Sequence, residues 1–320
     1  MIDSAMAFGL ILATAVLPAV LASCMASGGS GATADDRAGK AREPVQHVYK
    51  SVGKHRLVLK VYVPADAAPG DARPAIVFFF GGGFVGGRLT QFDPHCRYLA
   101  GRGMVAVAAE YRVKERHGST PVDSCIDGRA AVRWLRGHAA DLGIDPRRIA
   151  AGGGSAGGTV AAMARLMDEK PPEGEPQISA RPDALVLFNP AVVYAPIDDR
   201  ELRPEERLEL YVQRWQRSGI LDISAWHHVT SDAPPTLIHH GDKDAICPIE
   251  TVRLFEKKMK AHGVRCELKV YEGQGHGFFN AGRAGGTYYR RTLAATDRFL
   301  ASLGYLEGEP TIGDPADGDR

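Results

Sequence analysis

The run Gly152-Gly153-Gly154-Ser155-Ala156-Gly157-Gly158 decides how the rest of the chain reads. Upstream stands the short apolar stretch Arg148-Ile149-Ala150-Ala151, and downstream residues 159–167 are rich in Ala and Met and suit a helix. The pattern predicts a strand, a tight turn and a helix, with a serine at the apex. A G-x-S-x-G turn holds its serine on a strained elbow and pushes the hydroxyl out at the end of a sheet. Glycines flank it because strand and helix pass too closely for side chains. A flexible linker would not be framed by a strand and an Ala/Met-rich helix. A phosphate-binding loop needs Lys-Ser or Lys-Thr after its last glycine, where this chain has Thr159-Val160. Ser155 is therefore expected to be a nucleophile.

Working outward, strands and helices alternate. Residues 47–50 and 56–63 read as β segments, the second with Leu57, Leu59 and Val61 in alternation. Residues 75–80 and 104–109 are all-apolar runs of the kind that fill a sheet buried on both faces. Further strands are expected at 184–188, 236–240 and 266–271, and helices at 94–101, 122–140, 249–262 and 288–303. This order predicts an α/β fold, a mostly parallel central sheet with helices on both faces. Residues 191–229 break the rhythm. They include a charged, helix-forming stretch at 204–217 and read as a small cap-like insertion over the active site.

A chain of 320 residues fits one large α/β domain or two small ones. Its 39 Lys and Arg against 38 Asp and Glu leave a net charge of +1, so no nucleic-acid partner is expected. The charges at 200–207 alternate in sign and read as a solvated helix face. Residues 5–22 are apolar and end in small residues, the pattern of a signal peptide. Leu21-Ala22-Ser23-Cys24 also resembles a bacterial lipobox, although Met1-Ile2-Asp3-Ser4 carries an acid and no Lys or Arg. The expected organisation is a secretory or lipoprotein signal over 1–24, a disordered spacer over 25–42, the catalytic domain over 43–306 and a flexible tail over 307–320. Export is expected, with membrane contact only through a lipid anchor at Cys24. The other cysteines are Cys96, Cys125, Cys247 and Cys266. They form no C-x-x-C pair, so no zinc site of the usual spacing is expected, and disulfides and buried free thiols both stay open.

A serine hydroxyl is a weak nucleophile at neutral pH and needs a base, which needs an orienting acid. Both follow in the chain. His240-Gly241-Asp242-Lys243-Asp244 follows the strand expected at 236–240, and Gly273-Gln274-Gly275-His276-Gly277-Phe278 follows that at 266–271. Open parallel sheets build their sites at these strand ends. Asp244 is the expected acid, and Asp242 is read as a turn residue. His276, between two glycines, is the expected base. His240 is read as packing or a turn hydrogen bond, and His227, His228 and His239 suit the role less well. The transition state also needs preorganised N–H donors for its oxyanion. One is expected from Ala156, the others from Gly82 and Gly83 in Phe80-Gly81-Gly82-Gly83-Phe84.

At these residues the chain resembles the α/β-hydrolase superfamily. It is most similar to the acetyl esterase/lipase branch related to hormone-sensitive lipase and to relatives acting on esterified carbohydrates. The resemblance covers about residues 55–303 and rests on Gly81-Gly82-Gly83-Phe84, Glu110-Tyr111-Arg112, Gly153 to Gly157, His240 to Asp244, and Gly275-His276-Gly277. It implies a serine esterase with no cofactor or metal, acting on a small-molecule or saccharide ester. The insertion at 191–229, short and charged and not a long apolar lid, points to short acyl groups such as acetyl. A prolyl-oligopeptidase-like peptidase shares the triad order but is expected to carry a large propeller before the first strand. A non-catalytic binding protein on the same scaffold is the third reading. Two departures stand out. The family's glycine loop usually opens with histidine, where this chain has Phe80, so either aromatic packing orders the loop or the oxyanion hole differs. The residue before the nucleophile is often acidic in the lipase branch, and here it is Gly154.

Overall fold

The computed structural model describes residues 40–68, 70–167, 177–197 and 221–313. Eight strands form one sheet in the order β1-β2-β4-β3-β5-β6-β7-β8. They are β1 (Val45–Val52), β2 (His55–Tyr62), β3 (Arg73–Phe79), β4 (Val105–Ala109), β5 (Ile144–Gly154), β6 (Ala184–Phe188), β7 (Thr236–Gly241) and β8 (Cys266–Tyr271). β2 runs antiparallel to both β1 and β4, and all other neighbours are parallel. The expected α/β architecture is the observed one.

Alternation along the central strands sends side chains to two cores. Ala75, Val77 and Phe79 of β3, with Leu185 and Leu187 of β6, join one apolar cluster. Ile76 and Phe78, with Val186 and Phe188, join the other. Helices cover both faces: α1 (Asp93–Gly101), α2 (Lys114–His117), α3 (Pro121–Gly137), α4 (Ala139–Leu142), α5 (Ala156–Leu166), α6 (Ile249–Ala261) and α7 (Thr287–Ser302). Val132 and Leu135 of α3, Val160 and Met163 of α5, and Val252 and Phe255 of α6 belong to the first core. Cys96 and Leu99 of α1, and Leu293 and Leu300 of α7, belong to the second. Such two-sided cover is why the inner strands read as unbroken apolar runs.

Two boundaries differ from the sequence reading. β5 begins at Ile144, not Arg148, because Ile144 pairs with Arg73 ahead of a register shift. α5 begins directly after the serine, so Ala156, Gly157 and Gly158 are helical. Burial of this turn against the sheet outweighs the poor helix propensity of glycine. The chain before β1 is pinned at Arg42, whose guanidinium donates to the Ala67 carbonyl at 2.5 Å. Of the tail expected from 307, the described part is held as well. Arg102 donates to the Glu307 carbonyl at 2.8 Å, and the Thr311 N–H donates to the Tyr98 hydroxyl at 3.2 Å. The expected signal segment, Cys24, most of the expected spacer, the charged stretch 204–217 and the last seven residues lie outside the described residues. Of the expected insertion, residues 191–197 and 221–229 are described and packed together: the Trp226 N–H donates to the Val192 carbonyl at 2.9 Å, and the Tyr194 N–H to Ser224 Oγ at 2.9 Å. Cys96, Cys125, Cys247 and Cys266 are free and buried, which settles the choice left open by their spacing.

Candidate active site

Five adjacent strands, β3-β5-β6-β7-β8, each hand one part of the site to the same sheet edge. The loop after β3 carries Gly82 and Gly83, the turn after β5 carries Ser155, and Asn189 follows β6. Asp244 follows β7, and His276 follows β8. This is the carboxyl edge where parallel sheets place their ligands.

Ser155 sits at φ 53°, ψ −121°, an outlier for a residue with a Cβ. The tight turn is held by the Ser155 N–H donating to the Phe188 carbonyl at 2.9 Å, and by the Gly158 N–H returning to the Ser155 carbonyl at 2.9 Å. Gly157 is required by proximity: a Cβ there would lie 2.1 Å from the Phe79 carbonyl oxygen. Backbone of β3 and the start of α5 therefore cross in direct contact. The departure at Gly154 has a spatial reason too, since a Cβ there would lie 2.6 Å from Phe279 Cζ.

Asp244 is fully buried, and its Oδ2 lies 2.8 Å from His276 Nδ1. Its Oδ1 accepts from the Ile246 and Cys247 N–H groups at 2.8 and 2.9 Å. Burial alone pushes the carboxyl up. The hydrogen bond and charge of His276, the Cys247 N–H and His240 outweigh it and hold Asp244 below the usual carboxylate range. A carboxylate only accepts, so His276 Nδ1 is the protonated nitrogen and Nε2 is left basic. Asp242 is a turn residue as expected, accepting from the Gly273 N–H at 2.7 Å. His240 bonds the Cys247 carbonyl at 2.9 Å, and burial pushes its imidazole down. His239 bonds Tyr271 and Thr296, and His227 bonds Ser224 and the Pro196 carbonyl.

Ser155 and His276 line one cavity of about 370 Å³ together with Gly82, Gly83 and Ala156. Among the described residues no hydrogen bond joins Ser155 Oγ to His276, a contact that often tightens only when substrate is bound. The N–H groups of Gly82, Gly83 and Ala156 find no acceptor among the described residues. Gly81, by contrast, spends its N–H on Gln91 Oε1 at 2.7 Å. Gly82 lies at φ 142°, and a Cβ there would meet the Gly86 carbonyl oxygen at 2.3 Å. Phe84, Ala191, Tyr194 and Phe279 line the apolar part of the cavity, and Gln91, Asn280 and Arg283 the polar part. Among the described residues no group of three or more His, Cys, Asp or Glu is placed to hold a metal ion.

Phe80 is held by packing at the start of the loop. Its buried ring stacks on Tyr111, and the Arg116 guanidinium lies 5.7 Å from its centroid. Of the two possibilities raised by the missing histidine, aromatic packing is the observed one.

Three polar residues were not singled out from sequence. Asn189, fully buried at φ 43°, donates from Nδ2 to Asp244 Oδ2 at 2.9 Å and accepts from the Gly277 N–H at 3.2 Å. It holds the acid and the histidine loop together. Gln91 and Asn280 bond each other at 3.0 Å beside the cavity. The positive φ of Asn189 is visible only in the structure, so no local sequence signal marks it.

The elbow, the eight-stranded sheet and the shared cavity define an α/β-hydrolase. The chain belongs to that family: its residues 76–280 match a family model of the alpha/beta hydrolase fold. A probable carboxylic ester hydrolase, LipM, of Mycobacterium tuberculosis is 30% identical over 230 residues, 68% of this chain and 51% of the relative. The chain thus spans about half the length of the curated relatives it matches. Among solved structures, esterase Est2 of Thermogutta terrifontis with propionate bound is 43% identical with a TM-score of 0.75, over 83% of this chain and 97% of that one. The same esterase phosphonylated by sarin is 42% identical with a TM-score of 0.77, over 83% and 97% of the two chains.

Proposed function

We propose that the protein is a serine carboxylesterase that forms an acyl-enzyme on Ser155. One observation carries the reading: a serine on a strained elbow shares a cavity with a histidine whose Nδ1 is locked onto a buried carboxylate at 2.8 Å. Ser155 Oγ attacks the ester carbonyl while His276 Nε2 takes its proton. Asp244 keeps the imidazole in the correct tautomer and stabilises the imidazolium. The N–H groups of Gly82, Gly83 and Ala156 donate to the developing oxyanion. His276 then protonates the leaving alcohol, and water releases the acid by the reverse path.

The preferred acyl group is short, with acetyl as the leading candidate and esterified sugars as the candidate alcohols. Phe84, Tyr194 and Phe279 wall a cavity of about 370 Å³, toward the small end for ligand sites. The propionate held by the Thermogutta esterase supports the same size class. Rates on p-nitrophenyl esters from acetyl to decanoyl, followed by a panel of acetylated sugars, test this. A maximum at acetyl to butyryl is expected, and a preference for decanoyl would reject it.

A further inference from the structure

Besides the Phe80–Tyr111 stack, a chain of side-chain amides ties the glycine loop to the histidine loop. The Gly81 N–H donates to Gln91 Oε1 at 2.7 Å, Gln91 Nε2 donates to Asn280 Oδ1 at 3.0 Å, and Asn280 Nδ2 donates to the Gly277 carbonyl at 2.7 Å. The loop after β3 is thereby joined to the loop after β8 by contacts between groups 189 residues apart in sequence.

Both ends of this chain are backbone groups, so its polarity is fixed. A backbone N–H only donates and a carbonyl only accepts. Gln91 must therefore turn its oxygen to Gly81 and its nitrogen to Asn280, and Asn280 must turn its nitrogen to Gly277. Each side chain accepts at one end and donates at the other, which a planar neutral carboxamide does and a carboxylate of the same shape does not. Gly277 is also held through its N–H by Asn189 at 3.2 Å. The peptide groups flanking the His276 side chain on that side are gripped at both donor and acceptor.

We infer that Gln91 and Asn280 are positioning residues that act through Gly81 and Gly277 to hold the oxyanion donors in register with His276. The inference rests on the esterase reading above. An oxyanion hole works because its donors stand in place before charge develops. A displacement of about 1 Å costs on the order of a hundredfold in rate.

The test measures kcat and KM on p-nitrophenyl acetate for Gln91→Met, Asn280→Ala and the double variant, with a melting temperature for each. Each single change is expected to lower kcat roughly ten- to a hundredfold with KM within about twofold, because the bridge serves the transition state. The double variant is expected to lose no more than the worse single, since either change breaks the same chain. Where Gln91→Met fails to fold, Gln91→Glu keeps the shape and the acceptor for Gly81 but not the donor for Asn280. Wild-type kcat in the single variants, losses that multiply in the double, or losses that track melting temperature would each overturn the inference. The wild type separates this from the underlying reading. A wild type that neither hydrolyses the ester nor is labelled at Ser155 by diethyl p-nitrophenyl phosphate removes both. An active, labelled wild type beside unaffected variants removes the bridge alone.

Discussion

The Tyr111 hydroxyl donates to the Phe80 carbonyl at 2.6 Å while the two rings stack with centroids 4.2 Å apart. One residue thus grips both the backbone and the side chain at the foot of the glycine loop. Removing only the hydroxyl, in Tyr111→Phe, keeps the stack and leaves a buried carbonyl unpaired. It is expected to cost about 1–3 kcal/mol in urea unfolding. Phe80→Ala removes the stack and leaves a cavity, at about 3–5 kcal/mol, and is expected to lower kcat as the loop loses its anchor.

Gly82→Ala tests the loop from the other side. The new Cβ would stand 2.3 Å from the Gly86 carbonyl oxygen, on a residue at φ 142°. The loop must move, and the Gly82 and Gly83 donors move with it. A loss of roughly a hundred- to a thousandfold in kcat is expected, the scale of an oxyanion donor removed. Steady-state kinetics on p-nitrophenyl acetate check it.

Asn189→Ala should act on the acid and the base together. It takes one donor from Asp244 Oδ2, which is buried, and the acceptor from the half-buried Gly277 N–H. A stability loss of about 1–3 kcal/mol is expected from the Gly277 N–H left without its acceptor and from the donor lost by Asp244, which keeps His276. A tenfold or greater fall in kcat should accompany it, and Asn189→Leu should do no better, since the loss is of polarity and not volume. Kinetics and urea unfolding of the two variants provide the comparison.

Stability should decline in acid through His95. Its ring is fully buried against Phe92 and Tyr289, at 4.9 Å from each, and neither nitrogen has a hydrogen-bond partner among the described residues. Burial pushes the imidazole down to about 3. The unfolded chain takes up a proton near pH 6.5 while the folded chain does not, so the unfolded state binds more protons in between. The favourable contribution is full above pH 6.5 and is lost as pH falls toward 3, at up to about 1.4 kcal/mol per pH unit. His95→Phe is expected to flatten that slope by one proton and leave stability at pH 7 equal or higher. Urea unfolding at pH 7, 6, 5 and 4 measures both.

What sequence made legible is what lies close along the chain. The elbow, Asp244 and His276 each sit a few residues past an apolar strand, and strand ends are visible as runs that stop at glycine. Their order then placed them at one sheet edge. Asn189 acts through contacts with residues 55 and 88 positions away, Gln91 and Asn280 meet each other across 189 positions, and an isolated amide carries no local pattern. The start of β5 was hidden because Asp145-Pro146 reads as a turn. Its pairing with Arg73 is set by the neighbouring strand. The role of Tyr111 was likewise hidden: Glu110-Tyr111-Arg112 was legible as a family segment, but the stack on Phe80 exists only once β3 and β4 lie side by side.

The central claim is that Ser155 is an activated nucleophile. Incubation with diethyl p-nitrophenyl phosphate, followed by intact-mass and peptide mass spectrometry, tests it most directly, because an unactivated serine does not react. The account predicts one diethylphosphoryl group per chain, on the peptide containing Ser155, appearing in step with loss of esterase activity and absent from Ser155→Ala. Full activity in Ser155→Ala, or labelling at another residue with Ser155 untouched, would contradict it.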